Sequence, residues 1–193
     1  MTQYAKRDSG IEPGEHIWRV ESETLVWTRP SGETVTLLWR DVISLRIAFA
    51  ATRWKPRRHL FELGTRQGLC LALDNCHFVS FGRFEDRTST FTPFVRACIA
   101  KVAVAAPRAV GRIGARPAVY LSQLAFAGVA FALLLMVLVA LPTPIGVLVV
   151  VKLLLILAGL PMLIHWAIRS RPRRAEMSAD GLGTALPPAD GAT

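Results

Sequence analysis

The stretch VYLSQLAFAGVAFALLLMVLVAL, residues 119–141, decides how this chain is read. It carries no charged side chain over about 23 positions, and a helix of that length spans roughly 30 Å of hydrocarbon. A helix packed inside a globular protein in water is rarely apolar on every face for so long. Pro142-Thr143-Pro144 closes the run. A second apolar stretch follows over 145–168, with Lys152 inside it and His165 near its end. A connection this short makes two helices antiparallel neighbours. The pattern therefore predicts an all-α two-helix transmembrane hairpin over 119–168, with spans 119–141 and 145–168.

Working outward, the flanking charge is arginine. Arg108, Arg112 and Arg116 lie in a Gly-, Ala- and Pro-containing linker over 108–118, and Arg169, Arg171, Arg173 and Arg174 follow the second stretch. The turn between the helices is uncharged. Basic residues at both outer ends place those ends in the cytoplasm by the positive-inside rule. The expected location is an inner or plasma membrane, with two spans and both termini cytoplasmic. The tail, 169–193, begins as a basic stop and continues rich in Ala, Gly, Pro and Asp, a composition that predicts disorder.

Within the spans, Lys152 stands out, because a charge at the centre of a membrane helix costs about 3 kcal/mol. Its long stem reaches toward the nearer surface, or its ammonium meets an acidic group on a partner helix. Ala125, Gly128 and Ala132 form a small-residue pattern suited to packing inside the hairpin. Tyr120 and Trp166 occupy interfacial depths.

Upstream, residues 1–14 lack an apolar stretch and read as a flexible lead-in rather than a signal peptide. Residues 15–107 read as a cytoplasmic domain. Short runs rich in Trp, Val and Ile at 16–20 and 24–29 flank a Glu21-Ser22-Glu23 turn. Pro30-Ser31-Gly32-Glu33 supplies turn chemistry before the alternation Val35, Leu37, Trp39. Ile43, Leu45, Ile47 and Phe49 alternate with small or polar residues. Residues 59–63 and 69–73 form a hairpin about Gly64–Gly68, and 77–84 reads as a last strand. A helix follows, with Thr92 as its N-cap, Pro93 at its first position and an apolar stripe through Phe94, Val95, Cys98, Ile99 and Val102. The expected core includes Trp18, Trp27, Leu37, Trp39, Leu45, Ile47, Leu71, Phe94 and Ile99. About six or seven antiparallel strands followed by one packed helix make an α+β domain.

The chain has 193 residues, a formal charge of +9 and 52% apolar residues. Its positive charge favours an anionic membrane surface over nucleic acid, for which no recognition motif is present. Cys70, Cys76 and Cys98 have no zinc-type spacing and read as buried reduced thiols. The histidines are scattered without metal spacing, and no nucleophile–base arrangement or phosphate loop is found. The chain is read as non-enzymatic, with no cofactor and no metal. The basic loop TRWKPRR remains: Arg53, Lys55, Arg57 and Arg58 beside Trp54. It suits either an anionic membrane, at about 1 kcal/mol per cation near lipid, or plain solvation.

The run Leu37-Leu38-Trp39-Arg40-Asp41-Val42-Ile43-Ser44-Leu45-Arg46-Ile47, together with the strand Gly68–Leu73 and the helix from Pro93, resembles bacterial pleckstrin-homology-like (PH-like) membrane proteins over residues 16–106. The resemblance implies a split β-barrel of two orthogonal antiparallel sheets, capped by a C-terminal helix and serving as a binding module. Phosphoinositide-binding members carry a basic first inter-strand loop. Here that loop is the acidic Glu21-Ser22-Glu23, which speaks against a headgroup site there. The expected function is a membrane-anchored scaffold whose PH-like domain docks a protein partner or anionic lipid. The alternative is an accessory subunit of a larger membrane complex, such as a transporter, assembled through the hairpin and Lys152.

Overall fold

The computed structural model describes residues 2–140, 147–178 and 180–189. The chain divides into two compact units. One is Met1–Ile113 together with Arg173–Thr193; the other is Gly114–Pro172.

In the first unit, β1 (Thr2–Lys6), β2 (His16–Val20), β3 (Thr24–Thr28) and β4 (Thr34–Leu38) form an antiparallel sheet in chain order. Alternation turns Trp18, Val20, Leu25 and Leu37 inward. Tyr4 stacks on Trp18 at 5.9 Å, and Trp18 stacks on Trp27 at 6.3 Å. The Glu21–Glu23 turn is pinned from the 3-10 turn that follows β4: Trp39 Nε1 donates to the Glu21 carbonyl at 3.2 Å, and its backbone N–H donates to the Glu23 carbonyl at 3.1 Å.

β5 (Val42–Phe49), β6 (His59–Thr65) and β7 (Cys70–Asp74) are consecutive and antiparallel. Leu45, Ile47, Phe61, Leu63 and Leu73 are fully buried along them. A separate hairpin, β8 (Cys76–Ser80) and β9 (Arg83–Asp86), turns at Phe81-Gly82, where Gly82 takes a φ of +72°. Helix α1 (Thr88–Ala105) then lays Phe91, Phe94, Val95, Cys98, Ile99 and Val102 on the core. Burial of each large apolar side chain contributes about 1.5–3 kcal/mol of gross stabilisation.

Two further strands complete this sheet. β10 (Val110–Ile113) runs parallel to β5, with Val110 opposite Ser44 and Ile113 opposite Ile47. β11 (Arg173–Ala175) pairs antiparallel with β10, Arg174 opposite Arg112 and Arg173 opposite Ile113. The sheet order is thus β11-β10-β5-β6-β7. After β11, a short 3-10 turn over Leu182–Ala185 inserts Leu182 into the core, and Leu186 is buried beside it. Thr92 Oγ1 donates to the Pro187 carbonyl at 3.0 Å. Among the described residues, every residue of the buried core comes from this unit.

The second unit holds α2 (Pro117–Ala140) and α3 (Val147–Ser170). They pack antiparallel. Tyr120 Oη donates to the Ala167 carbonyl at 3.2 Å, its ring stacks on Trp166, and Gly159 lies against Phe131. The side of α2 that is partly covered is Tyr120, Leu124, Ala127, Phe131 and Leu135, at helical spacing.

Several expectations are corrected. The fold is not a barrel of six or seven strands followed by a two-helix transmembrane hairpin. Among the described residues there are eleven strands in three sheets and three α-helices. One helical stretch, Pro117–Val137, is long and apolar enough to cross a membrane, and none of its apolar window is buried in the protein. A second span is not supported: the described apolar stretch of α3 is Leu157–Ile168, short of the roughly 20 residues a crossing needs. Unlike α2, α3 contains Lys152, Pro161 and His165. The turn 141–146 lies outside the described residues.

The lead-in 1–14 contains β1, the linker 108–118 contains β10, and the tail 169–193 contains β11 and the buried Leu182. These short basic or polar strands are held by distant partners and have no periodicity of their own to read. Helix α1 starts four residues before Thr92, because Asp86 Oδ1 accepts the Thr88 N–H at 2.9 Å and Phe91 is already buried. Gly128 has open space around it and Ala132 is exposed, so the close approach is made by Gly159 instead. Cys76 and Cys98 are buried, but Cys70 is exposed. Of the expected core, Trp27 is only partly buried and the rest is buried.

Candidate functional site

The basic loop 50–58 joins β5 to β6 and is internally bonded. Thr52 N–H donates to the Lys55 carbonyl at 3.0 Å, Lys55 N–H returns to the Thr52 carbonyl at 3.1 Å, and Ala50 N–H donates to the Arg58 carbonyl at 2.9 Å. Its cations divide into two sets. Lys55 and Arg58 turn inward to Asp74: Arg58 Nε donates to Asp74 Oδ2 at 2.6 Å, and Lys55 Nζ lies 3.4 Å from the same oxygen. The other carboxylate oxygen, Oδ1, is paired with Lys6 of β1. Arg53 and Arg57 stay exposed and form no ion pair among the described residues.

Asp74 is 2% exposed. Burial alone would push its carboxyl up, but Lys6, with Lys55 and Arg58 behind it, more than offsets this and holds it below the ordinary carboxylate range. The same burial, with the Asp74 charge adding, pushes the Cys76 thiol up to about 11. Tyr4 Oη donates to the Asp74 carbonyl at 2.7 Å. The neighbouring Asn75, also buried, ties the loop to the start of α1. Its Oδ1 accepts the His59 N–H at 2.8 Å, and its Nδ2 donates to the Arg57 carbonyl, Asp86 Oδ1 and Thr88 Oγ1. Asp74-Asn75 lies where β7 ends and β8 begins. It is the anchor that shapes the loop.

Trp54 is 58% exposed, with Arg53 stacked over it at 5.5 Å to the ring centroid. Its ring sits against Gly82, where an added Cβ would meet it at 3.3 Å. Next to Gly82, Phe81 is 96% exposed. Lys55 Nζ lies 4.3 Å from the centroid of the Phe84 ring on the same hairpin. Two loop tips therefore meet in one patch of exposed aromatics and arginines.

No known protein family, curated protein or solved structure matches this chain. The resemblance to PH-like membrane proteins gains no support from known proteins, and the site is read from its own chemistry.

Among the described residues no group of three His, Cys, Asp or Glu side chains could hold a metal ion. Of the other residues singled out from sequence, Arg108, Arg112, Arg171, Arg173 and Arg174 are exposed around β10 and β11, and Arg116 is exposed just before α2. Lys152 and Arg169 lie in α3, but their side chains lie outside the described residues. Sequence reasoning missed Phe81, Arg83, Asp74 and Lys6. Phe81-Gly82 carried a local signal, an aromatic beside a turn glycine. The pairing of Lys6 with Asp74 carried none, since the two are 68 residues apart.

Proposed function

We propose that this protein is a membrane-anchored, non-enzymatic binding module, with its sheet domain held at the cytoplasmic face of an inner or plasma membrane. The observation that carries the reading is α2. Its stretch Pro117–Val137 has no charge and is not buried by the rest of the chain, so its apolar side chains need a non-aqueous surrounding. Orientation follows from arginine. The chain enters and leaves the helical segment through adjacent strands, where Arg112 and Arg174 stand directly opposite. Like charges across a strand pair are unfavourable in isolation and are relieved beside an anionic surface. The buried polar residues of the domain, Lys6, His16, Thr65, Asp74, Asn75 and Thr92, are all engaged in hydrogen bonds or ion pairs that hold the fold, which favours docking over catalysis.

Extraction of membranes with alkaline carbonate tests the anchoring. The full chain is expected to stay in the pellet. A triple variant, Leu121→Lys, Phe126→Lys and Val129→Lys, replaces exposed apolar side chains of α2 and is expected to move to the supernatant. Release of the unaltered chain by carbonate would sink the reading.

A further inference from the structure

We infer that the patch made by Trp54 and Phe81, with Arg53, Arg57 and Arg83, is a membrane-touching tip that seats on an anionic lipid leaflet; this deepens the anchored reading above and rests on it. Three observations carry it. The first is composition: two aromatic rings project at loop tips, 58% and 96% exposed, with exposed arginines on both loops. Rings at a tip bring apolar area to the acyl boundary, while guanidinium groups reach the phosphate layer. The second is rigidity. The tips are held before any ligand arrives: Trp54 rests on Gly82, and the loop beneath is fixed by Lys55 and Arg58 on Asp74 and by Asn75. Those two inward cations are spent on structure, so the outward ones carry the surface charge.

The third is position. β10 runs parallel to β5, and its last residue, Ile113, stands opposite Ile47. The basic loop begins just after Phe49, the last residue of β5. The chain therefore leaves the sheet at the same sheet end that bears the patch, about two residues of strand rise, or about 7 Å, short of it. An anionic leaflet is thus the occupant that both the charge and the chain path favour.

The test uses the full chain in nanodiscs of phosphatidylcholine alone or mixed with phosphatidylglycerol, with hydrogen–deuterium exchange read over 51–57 and 79–83. Both segments are expected to exchange at least about fivefold more slowly in the anionic discs than in the neutral ones. The difference is expected to vanish at high salt, in Arg53→Gln/Arg57→Gln/Arg83→Gln, and in Trp54→Ser/Phe81→Ser. These side chains are exposed, so the variants keep the fold, and unchanged exchange in α1 verifies it. Equal exchange in the two discs overturns the inference. So does equal slowing by inorganic phosphate in detergent, which would make the patch an anion site rather than a leaflet contact. Failure of the chain to enter discs at all is a separate result, and it strikes the anchoring reading.

Discussion

Asp74 concentrates more of the fold than any other side chain, because strand β1, the basic loop and β7 all meet on its carboxylate. Asp74→Asn keeps the shape and removes the charge shared by Lys6, Lys55 and Arg58, leaving the buried Lys6 only the half-exposed Asp8, at 2.6 Å, as counter-charge. A loss of about 3 kcal/mol is expected in denaturant unfolding. The pH dependence follows from the lowered pKa. The unfolded chain takes up the proton first, so the contribution is complete above about pH 4 and is lost as pH falls through the lower folded-state value. Asp74→Asn should flatten that acid limb. The thiols give a simpler check. Cys70 is exposed while Cys76 and Cys98 are buried and held as thiols, so maleimide should label one site rapidly in the folded protein and three after denaturation. At this scale the sequence was legible in the middle of the alternation, where Leu45 and Ile47 fall inward as their spacing requires, but not at its ends, where Ile43 and Phe49 are exposed. It was illegible at Asp74, whose buried charge is matched by Lys6, Lys55 and Arg58 from distant parts of the chain.

Among the elements, β10 and β11 are the smallest and the most consequential. Gly111 sits where a Cβ would collide with the Ala175 carbonyl, so Gly111→Ala should force the two strands apart and lower the melting temperature. Leu182, fully buried after β11, should cost about 3 kcal/mol when cut to Ala. Because Ile113 and Arg173 are direct partners, an Asn-Gly turn in place of 114–172 would close them as a hairpin. That variant is expected to fold and to show native near-UV circular dichroism. A fragment ending at residue 107 lacks β10, β11 and Leu182, and is expected to lose that signal. Long alternating strands such as β5 were readable in advance because each carries its own pattern. Strands of three or four residues carry none, and α1 was read five residues short because Asp86, which accepts the Thr88 N–H, lies outside the apolar stripe.

On the scale of the whole molecule, two chemistries share one chain: a sheet domain with an aromatic core, and a helical segment whose apolar side chains face outward. The uncharged stretch near residue 119 showed the second from sequence alone. The second crossing inferred beside it did not hold, since composition counted across Lys152 and Pro161 overstated one run. The candidate loop was legible as charge beside tryptophan, whereas its division into inward and outward cations, and its meeting with Phe81, depend on contacts between distant turns. The closure of β10 by β11 also has a consequence in time. A ribosome making residues 114–172 at about 5–20 residues per second leaves the domain missing its edge strand and Leu182 for roughly 3–12 s. The domain is completed only by the last part of the chain, after both helices have been made. A product cut short anywhere before residue 173 would display an open sheet edge and an uncovered core, the surfaces that proteases and chaperones bind. Only a chain that already carries its helices can finish folding this domain.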